Sequence, residues 1–222
     1  LDETVGQIDP RFIHLQNVTV GDVLSFRISL QTLGRIDTAP TREEGLKRLF
    51  GVSVCPTPAI RVYSDMNAMV IKYVIEAKTG LSLFDAIQTW ILSPAGMPET
   101  FAAVPEALRG RCVCYNYEHR IEGERQILRT SPPCGLPHDP KALLLSDNGR
   151  DLCGHAGLFS SRKDMVRFAQ ALLSGELIRR ETLCEIGVNR TGLTHGDGTY
   201  RQYLGYLCFS KHPLQRLSEV PH

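Results

Sequence analysis

A few short stretches of this 222-residue sequence bring together side chains that could do chemistry. Tyr63-Ser64-Asp65 sets a phenol and a carboxylate at the mouth of a segment that starts like a helix. Such a start fixes the backbone beside the ring and leaves the hydroxyl to face a cleft. His138-Asp139 and, further on, Gly154-His155-Ala156-Gly157 place imidazoles and a carboxylate in a connection rich in Pro, Gly and Asp. Ser160-Ser161-Arg162-Lys163 spaces a hydroxyl and an amine by one helical turn, a pattern in which a weak nucleophile can find a base. Lys78-Thr79-Gly80 is a basic-hydroxyl-glycine triplet. The seven cysteines offer metal chemistry instead. Cys112 with Cys114, Cys134 with His138, and Cys153 with His155 could converge on zinc, although the C-x2-C pair that usually announces a zinc finger is missing from the sequence.

Plainer readings stand beside these. Tyr63 alone would more often be a half-buried packing ring with a wet hydroxyl. His138 and His155 can satisfy loop backbone, and Gly154 and Gly157 serve a close backbone approach. Ser160 and Ser161 sit where a helix needs an N-cap and Gly80 where one needs a C-cap, and these capping readings are the preferred ones. In a chain this long the cysteines read as reduced, mostly buried thiols of a cytoplasmic protein, without a metal.

The elements that must position these residues begin clearly. Thr19, Thr41, Ser64, Ser82 and Ser161 each precede an apolar stripe, and in four cases an acidic residue follows three positions on. Gly51, Gly80, Pro94 and Gly175 supply stops, and the stripes read as core, including Met165, Phe168, Ala169, Leu172 and Leu173 after Ser161. Strand-like stretches are fewer, at 59–62, 111–117, 126–128 and 200–209, with a solvated charged hairpin over 120–129 and a long irregular connection from 130 to 159. Lys and Arg number 25 against 24 Asp and Glu, a net charge of +1, so bulk electrostatics holds no nucleic acid. No apolar run approaches a membrane span. The first residues carry neither an initiator Met nor a signal segment, so the chain is expected to begin inside a longer product.

Taken in order, the segments resemble the serine β-lactamase and penicillin-binding-protein superfamily, on its branch near class C β-lactamases, esterases and D-amino-acid amidases. The resemblance rests on Leu1-Asp2-Glu3-Thr4-Val5, on Tyr63-Ser64-Asp65, on Gly80-Leu81-Ser82 with Pro94-Ala95-Gly96-Met97, on His138-Asp139-Pro140-Lys141-Ala142, and on Gly154-His155-Ala156-Gly157-Leu158-Phe159-Ser160. It implies an α/β fold of the β-lactamase/DD-peptidase type, with residues 1–222 as the central portion of one domain: mostly its helical part, with the start of its antiparallel sheet. It also implies a serine hydrolase that attacks an amide, ester or lactam carbonyl of a small molecule or peptide through an acyl-enzyme, with no metal or organic cofactor. Tyr63 would then be the proton shuttle, Asp65 would stand at the family's Asn position, and His155 and Gly157 would lie on the substrate side. An Asp can accept a hydrogen bond but cannot donate one to a substrate amide, which favours ester or peptide chemistry over lactam binding. Ser25-Phe26-Arg27-Ile28 departs from the relatives' pattern.

The family places its Ser-x-x-Lys before the Tyr motif and its Lys-Thr-Gly near the C-terminus, the reverse of the order here. The nucleophile is therefore expected upstream of Leu1 and the third motif downstream of His222, leaving this chain inactive alone. The rival readings are a non-enzymatic binding or scaffolding module of the same fold and, further off, a Cys/His metal protein.

Overall fold

All five hydroxyl caps read from the sequence close helix starts. In the computed structural model, which describes residues 1–56, 63–113, 117–122, 125–130, 134–147, 151–191 and 204–210, Thr19 accepts from the Asp22 N–H, Thr41 from Glu44, Ser64 from Met66, Ser82 from Asp85 and Ser161 from Asp164. These bonds satisfy donors that the first helical turn leaves open. The element order is α1 (Val5–Ile8), α2 (Val20–Leu24), β1 (Leu30–Gln31), a 3-10 turn (Ile36–Thr38), α3 (Arg42–Phe50), β2 (Ser53–Val54), α4 (Asp65–Thr79), α5 (Leu83–Ile87), a π-helical turn (Gln88–Leu92), α6 (Glu106–Arg109), β3 (Tyr117–Glu122), β4 (Arg125–Thr130), α7 (Pro140–Leu145), α8 (Arg162–Ser174) and α9 (Arg180–Ile186). Strands β1 and β2 form one small antiparallel pair and β3 and β4 another, the latter in register from Tyr117 opposite Thr130 to Glu122 opposite Arg125.

Several sequence expectations are corrected. The helix after Ser82 is α-helical only to Ile87 and then widens into the π turn, which buries Leu92 and leaves Trp90 exposed. Residues 111–113 are not strand: the Arg111 and Cys112 N–H groups fold back onto the Leu108 and Arg109 carbonyls, so this stretch is the turn that ends α6. The ladder starts at Tyr117, and the 126–128 strand lies inside β4. The 120–129 hairpin is the β3–β4 pair, with Arg125 and Ile127 exposed. In the 200–209 stretch the described part gives one bridge, Leu204 with Phe209; residues 59–62 and 200–203 lie outside the described residues. The connection from 130 to 159 is not wholly irregular, because Asp139 caps α7 and Pro140 opens it.

Helix α4 is the centre of the packing. Val5, Phe12, Leu15, Val23, Leu49, Met69, Val70 and Val74 are buried together, with Phe12, Phe50 and Tyr73 meeting edge to face. On its outer flank Gly154 (φ +96°) lies against the helix backbone, and a Cβ there would stand 2.5 Å from the Ala68 carbonyl oxygen. The same loop sends Asp151 to the buried Lys72 ammonium at 2.9 Å, and Lys72 also pairs with Glu76.

Helix α8 departs furthest from expectation. Its stripe is not core: Met165 is 51% and Leu173 80% exposed, and Ala169 is exposed as well. The helix is fastened by its first turn instead. Asp164, with no exposed surface, accepts from the Glu99 N–H at 2.7 Å and the Thr100 hydroxyl at 2.9 Å. Among the described residues no helix is long and apolar enough to cross a membrane.

Replacing Gly154 by Ala adds both left-handed strain and a backbone collision, so Gly154→Ala should cost about 2–5 kcal/mol in urea unfolding. Gly80, also left-handed (φ +71°) but with open space around it, makes the control. Gly80→Ala should cost only about 1 kcal/mol.

Candidate active site

The N-terminus of α4 is held from two sides. Inside the first turn the buried Asn67 amide donates to the Val23 carbonyl at 2.7 Å, tying α4 to the end of α2. Just ahead of the helix, the Tyr63 ring stacks on Phe26 (centroids 5.7 Å, planes 28° apart) and on Phe209 (5.8 Å, 11°). Phe26 takes a left-handed conformation (φ +54°) after α2. Phe209 comes from the 204–210 segment, whose Leu207 N–H bonds the Leu24 carbonyl and whose Tyr206 N–H bonds Ile186. Tyr63, Ser64, Asp65, Met66 and Lys141 line one side of a cavity of about 370 Å³, with Thr32, Arg35, Ile36 and Asp37 on the other.

A chain of charged groups leaves this cavity. The Asp65 carboxylate faces the Lys141 ammonium at 3.0 Å, Lys141 faces Asp139 at 3.2 Å, and the other Asp139 oxygen meets His155 Nε2 at 2.9 Å. Asp139 also accepts the Lys141 and Ala142 N–H groups as the cap of α7. Burial alone would raise its pKa, but the His155 bond, the Ala142 N–H and the neighbouring Lys141 ammonium prevail and hold it well below the usual carboxylate range. Burial likewise opposes the Lys141 charge, and Asp65 and Asp139 more than offset it, lifting that ammonium above the ordinary lysine value. The Cys153 thiol, buried and near Asp139, is pushed up to about 12 and so is a packing group rather than a nucleophile at neutral pH.

A second cavity of about 560 Å³ is lined in part by Asp139, whose partner Lys141 lines the first. Phe101, Val104, Leu108, Leu158 and Phe159 give it apolar walls, and Gly157, His138 and Ser160 also line it. The His155 side chain is 5% exposed and turned to Asp139, so at this loop the cavity meets Ala156 and Gly157. Asp65 and His155 are thus joined in one network through Lys141 and Asp139, while Tyr63 lines the first cavity beside Asp65 and Gly157 lines the second. Lys141, which completes the network, carries no local signal in the sequence. Among the described residues the metal-type donors that converge are Asp65, Asp139 and His155, and Cys112, Cys134 and Cys153 are not among them; Cys114 lies outside the described residues.

The two literal motif matches are helix ends. Ser161 is the N-cap of α8, Lys163 is exposed, and the Ser160 hydroxyl meets Thr100 at 2.8 Å. Gly80 is the left-handed C-cap of α4, while Lys78 pairs with Glu3 and the Thr79 hydroxyl bonds the Ile75 carbonyl.

A family model described as Beta-lactamase matches residues 1–215. The chain belongs to the beta-lactamase family. It has the β-lactamase/transpeptidase-like fold, here as helices with small antiparallel pairs. Over 119 residues this beta-lactamase family chain is 31% identical to a Salmonella newport (strain SL254) protein named as a D-alanyl-D-alanine carboxypeptidase, a match covering 51% of the chain and 27% of that relative. FmtA from Staphylococcus aureus is similar in structure, with a TM-score of 0.65 at 16% identity, over 95% of this chain and 54% of that one. The D-amino acid amidase from Ochrobactrum anthropi SV3 complexed with D-phenylalanine gives 0.59 at 17% identity, over 93% and 58%. The chain thus spans about a quarter of the curated relative and little more than half of each solved structure.

Because the Asp139 pKa is depressed in the folded chain, its charge stabilises above the unfolded value near 3.9, and that contribution drains away as pH falls below it toward the lowered value. Asp139→Asn keeps a helix cap but removes the charge, and should cost about 1–3 kcal/mol at pH 7. The gap between the urea midpoints of wild type and variant should be the same at pH 7 and 5 and should narrow without closing at pH 3.

Proposed function

We propose that these 222 residues are the central part of one β-lactamase-related serine hydrolase domain that opens an amide, ester or lactam carbonyl through an acyl-enzyme. The observation that carries this reading is the cavity at the start of α4, where Tyr63 and Asp65 stand together in a chain of that family. In the proposed step, the Tyr63 oxygen, its own proton held by the lysine one turn after the nucleophile outside this chain, takes the serine proton as the serine oxygen bonds the carbonyl carbon. The leaving amine or alkoxide takes that proton as its bond breaks, and water then releases the acyl group. Asp65 already has one oxygen on Lys141, and it accepts rather than donates, which suits an ester or peptide substrate better than one gripped through its amide. Gly157 and the loop around His155 border the larger, apolar-walled cavity, which in this reading receives the body of the substrate. The carboxypeptidase name of the Salmonella relative and the amidase name of the Ochrobactrum structure support this chemical range.

The test is Tyr63→Phe in the full-length protein that carries these residues. The variant keeps the stacked ring and loses one hydroxyl, so acylation should slow by about 10²–10⁴-fold. Stability should move by no more than about 1 kcal/mol. An acylation rate within about threefold of wild type would remove Tyr63 from the mechanism, since a general acid–base term is far larger. The 222-residue chain by itself should take up no fluorophosphonate probe, because Ser160 lies against Thr100 and Ser161 is a cap. Stoichiometric labelling at Ser160 would overturn that assignment.

A further inference from the structure

Asp65, Asp139 and His155 belong to three separate segments, yet each directs one ligand atom to a common place, those atoms all lying within 4.8 Å of one another. Two carboxylates and an imidazole so arranged are donors that divalent first-row cations accept. The place is taken, however. Lys141, reaching in from the first turn of α7, sets its ammonium 3.0 Å from Asp65 and 3.2 Å from Asp139.

We propose that this cluster is a cation seat that the chain fills with its own lysine, and that Lys141 is the positioning residue fastening Asp65, and hence the start of α4 beside Tyr63, to α7 and the His155 loop.

Simple electrostatics requires a cation there. Two carboxylates with oxygens within 4.8 Å of each other repel unless a positive charge stands beside them. A tethered ammonium prevents this and also donates a hydrogen bond to each side. It needs no ion from solution, and its reach from α7 fixes where the carboxylates meet. His155 completes the argument. Its Nε2 meets Asp139, while its Nδ1, in a side chain 5% exposed, has no hydrogen-bond partner among the described residues. With the proton on Nε2 the imidazole donates to Asp139. If the proton moves to Nδ1, Nε2 becomes a ligand lone pair without the ring turning. The donor set therefore suits a metal ion as soon as the ammonium is withdrawn. The positional half of the proposal rests on the reading of Tyr63 as proton carrier, whereas the cation half does not.

The cation half is tested on the 222-residue chain with Mn²⁺, whose preference for oxygen ligands keeps the seven cysteines out of the measurement. Loss of the free-ion electron paramagnetic resonance signal reports binding. Lys141→Ala should bind one Mn²⁺ per chain at least about tenfold more tightly than wild type, and adding His155→Ala should abolish the gain. Lys141→Gln, which keeps the stem and covers the case in which Lys141→Ala does not fold, should behave the same way. A folded Lys141 variant that binds Mn²⁺ no better than wild type overturns the proposal, and so does a gain that survives loss of His155. In the full-length enzyme Lys141→Gln should lower kcat while leaving KM within about twofold, the mark of a group that acts on the transition state through another residue. A Tyr63→Phe enzyme at wild-type rate beside an intact Mn²⁺ gain would sink the hydrolase mechanism alone, and the converse result would sink the cation seat alone.

Discussion

Gly154 and the Ala68 carbonyl touch without room for a single methyl group between them. Helix α4 offers chemistry only at its first turn, and a helix end frays unless something outside the helix holds it. The 151–157 loop does so by lying directly on the helix backbone. Once Gly154 is seated there, Asp151 falls within reach of Lys72, the imidazole of His155 within reach of Asp139, and Gly157 at the rim of the larger cavity. A side chain at position 154 would lift the whole loop and detach all three at once. The contact is therefore worth more than its own small area.

The charges on the outer flank of α4 are arranged with economy. Lys72 is buried midway along the helix and is shared between Glu76 and Asp151. Lys141 stands near its start and is shared between Asp65 and Asp139. In both places one ammonium serves two carboxylates from different segments. A buried ion pair adds little net stability, because desolvation consumes most of the attraction, but mispairing it is costly. Such pairs therefore act mainly to reject other arrangements of the loop against the helix. Asp164 does similar work with neutral partners, gathering an amide and a hydroxyl from residues 99 and 100 so that the wall of the larger cavity is anchored to α8.

What could be read from the sequence was what is local. A hydroxyl, its neighbouring N–H groups and a following apolar stripe lie within one turn, so five helix starts were visible in advance. The six-residue α7 was equally marked, by Asp139 followed by Pro140, but at less than two turns it carries too little periodicity to stand out from a loop. The stripe of α8 misled because periodicity tells which residues share a face and not whether anything covers it; here Met165 and Leu173 remain open. Tyr63, Asp65, His155 and Gly157 were singled out as candidates through motif order. Lys141 was not, since an ammonium joining residues 65 and 139 depends on how two distant segments meet. The acidic residue at 164 was read as a capping partner, and its carboxylate turned instead to a loop more than sixty residues away.

Tyr63 is stacked on by two rings that arrive from opposite ends of the chain, Phe26 and Phe209. A flat ring with near-parallel neighbours resists tilting, because any tilt drives its edge into one of them. Spinning about its own long axis is such a tilt, so the flip is hindered as well, and the phenolic oxygen, which lies on that axis, is held with the ring. The oxygen therefore stays where the two neighbouring rings set it. Two segments far apart in the chain, one after α2 and one near residue 209, thus share the task of setting a single oxygen atom.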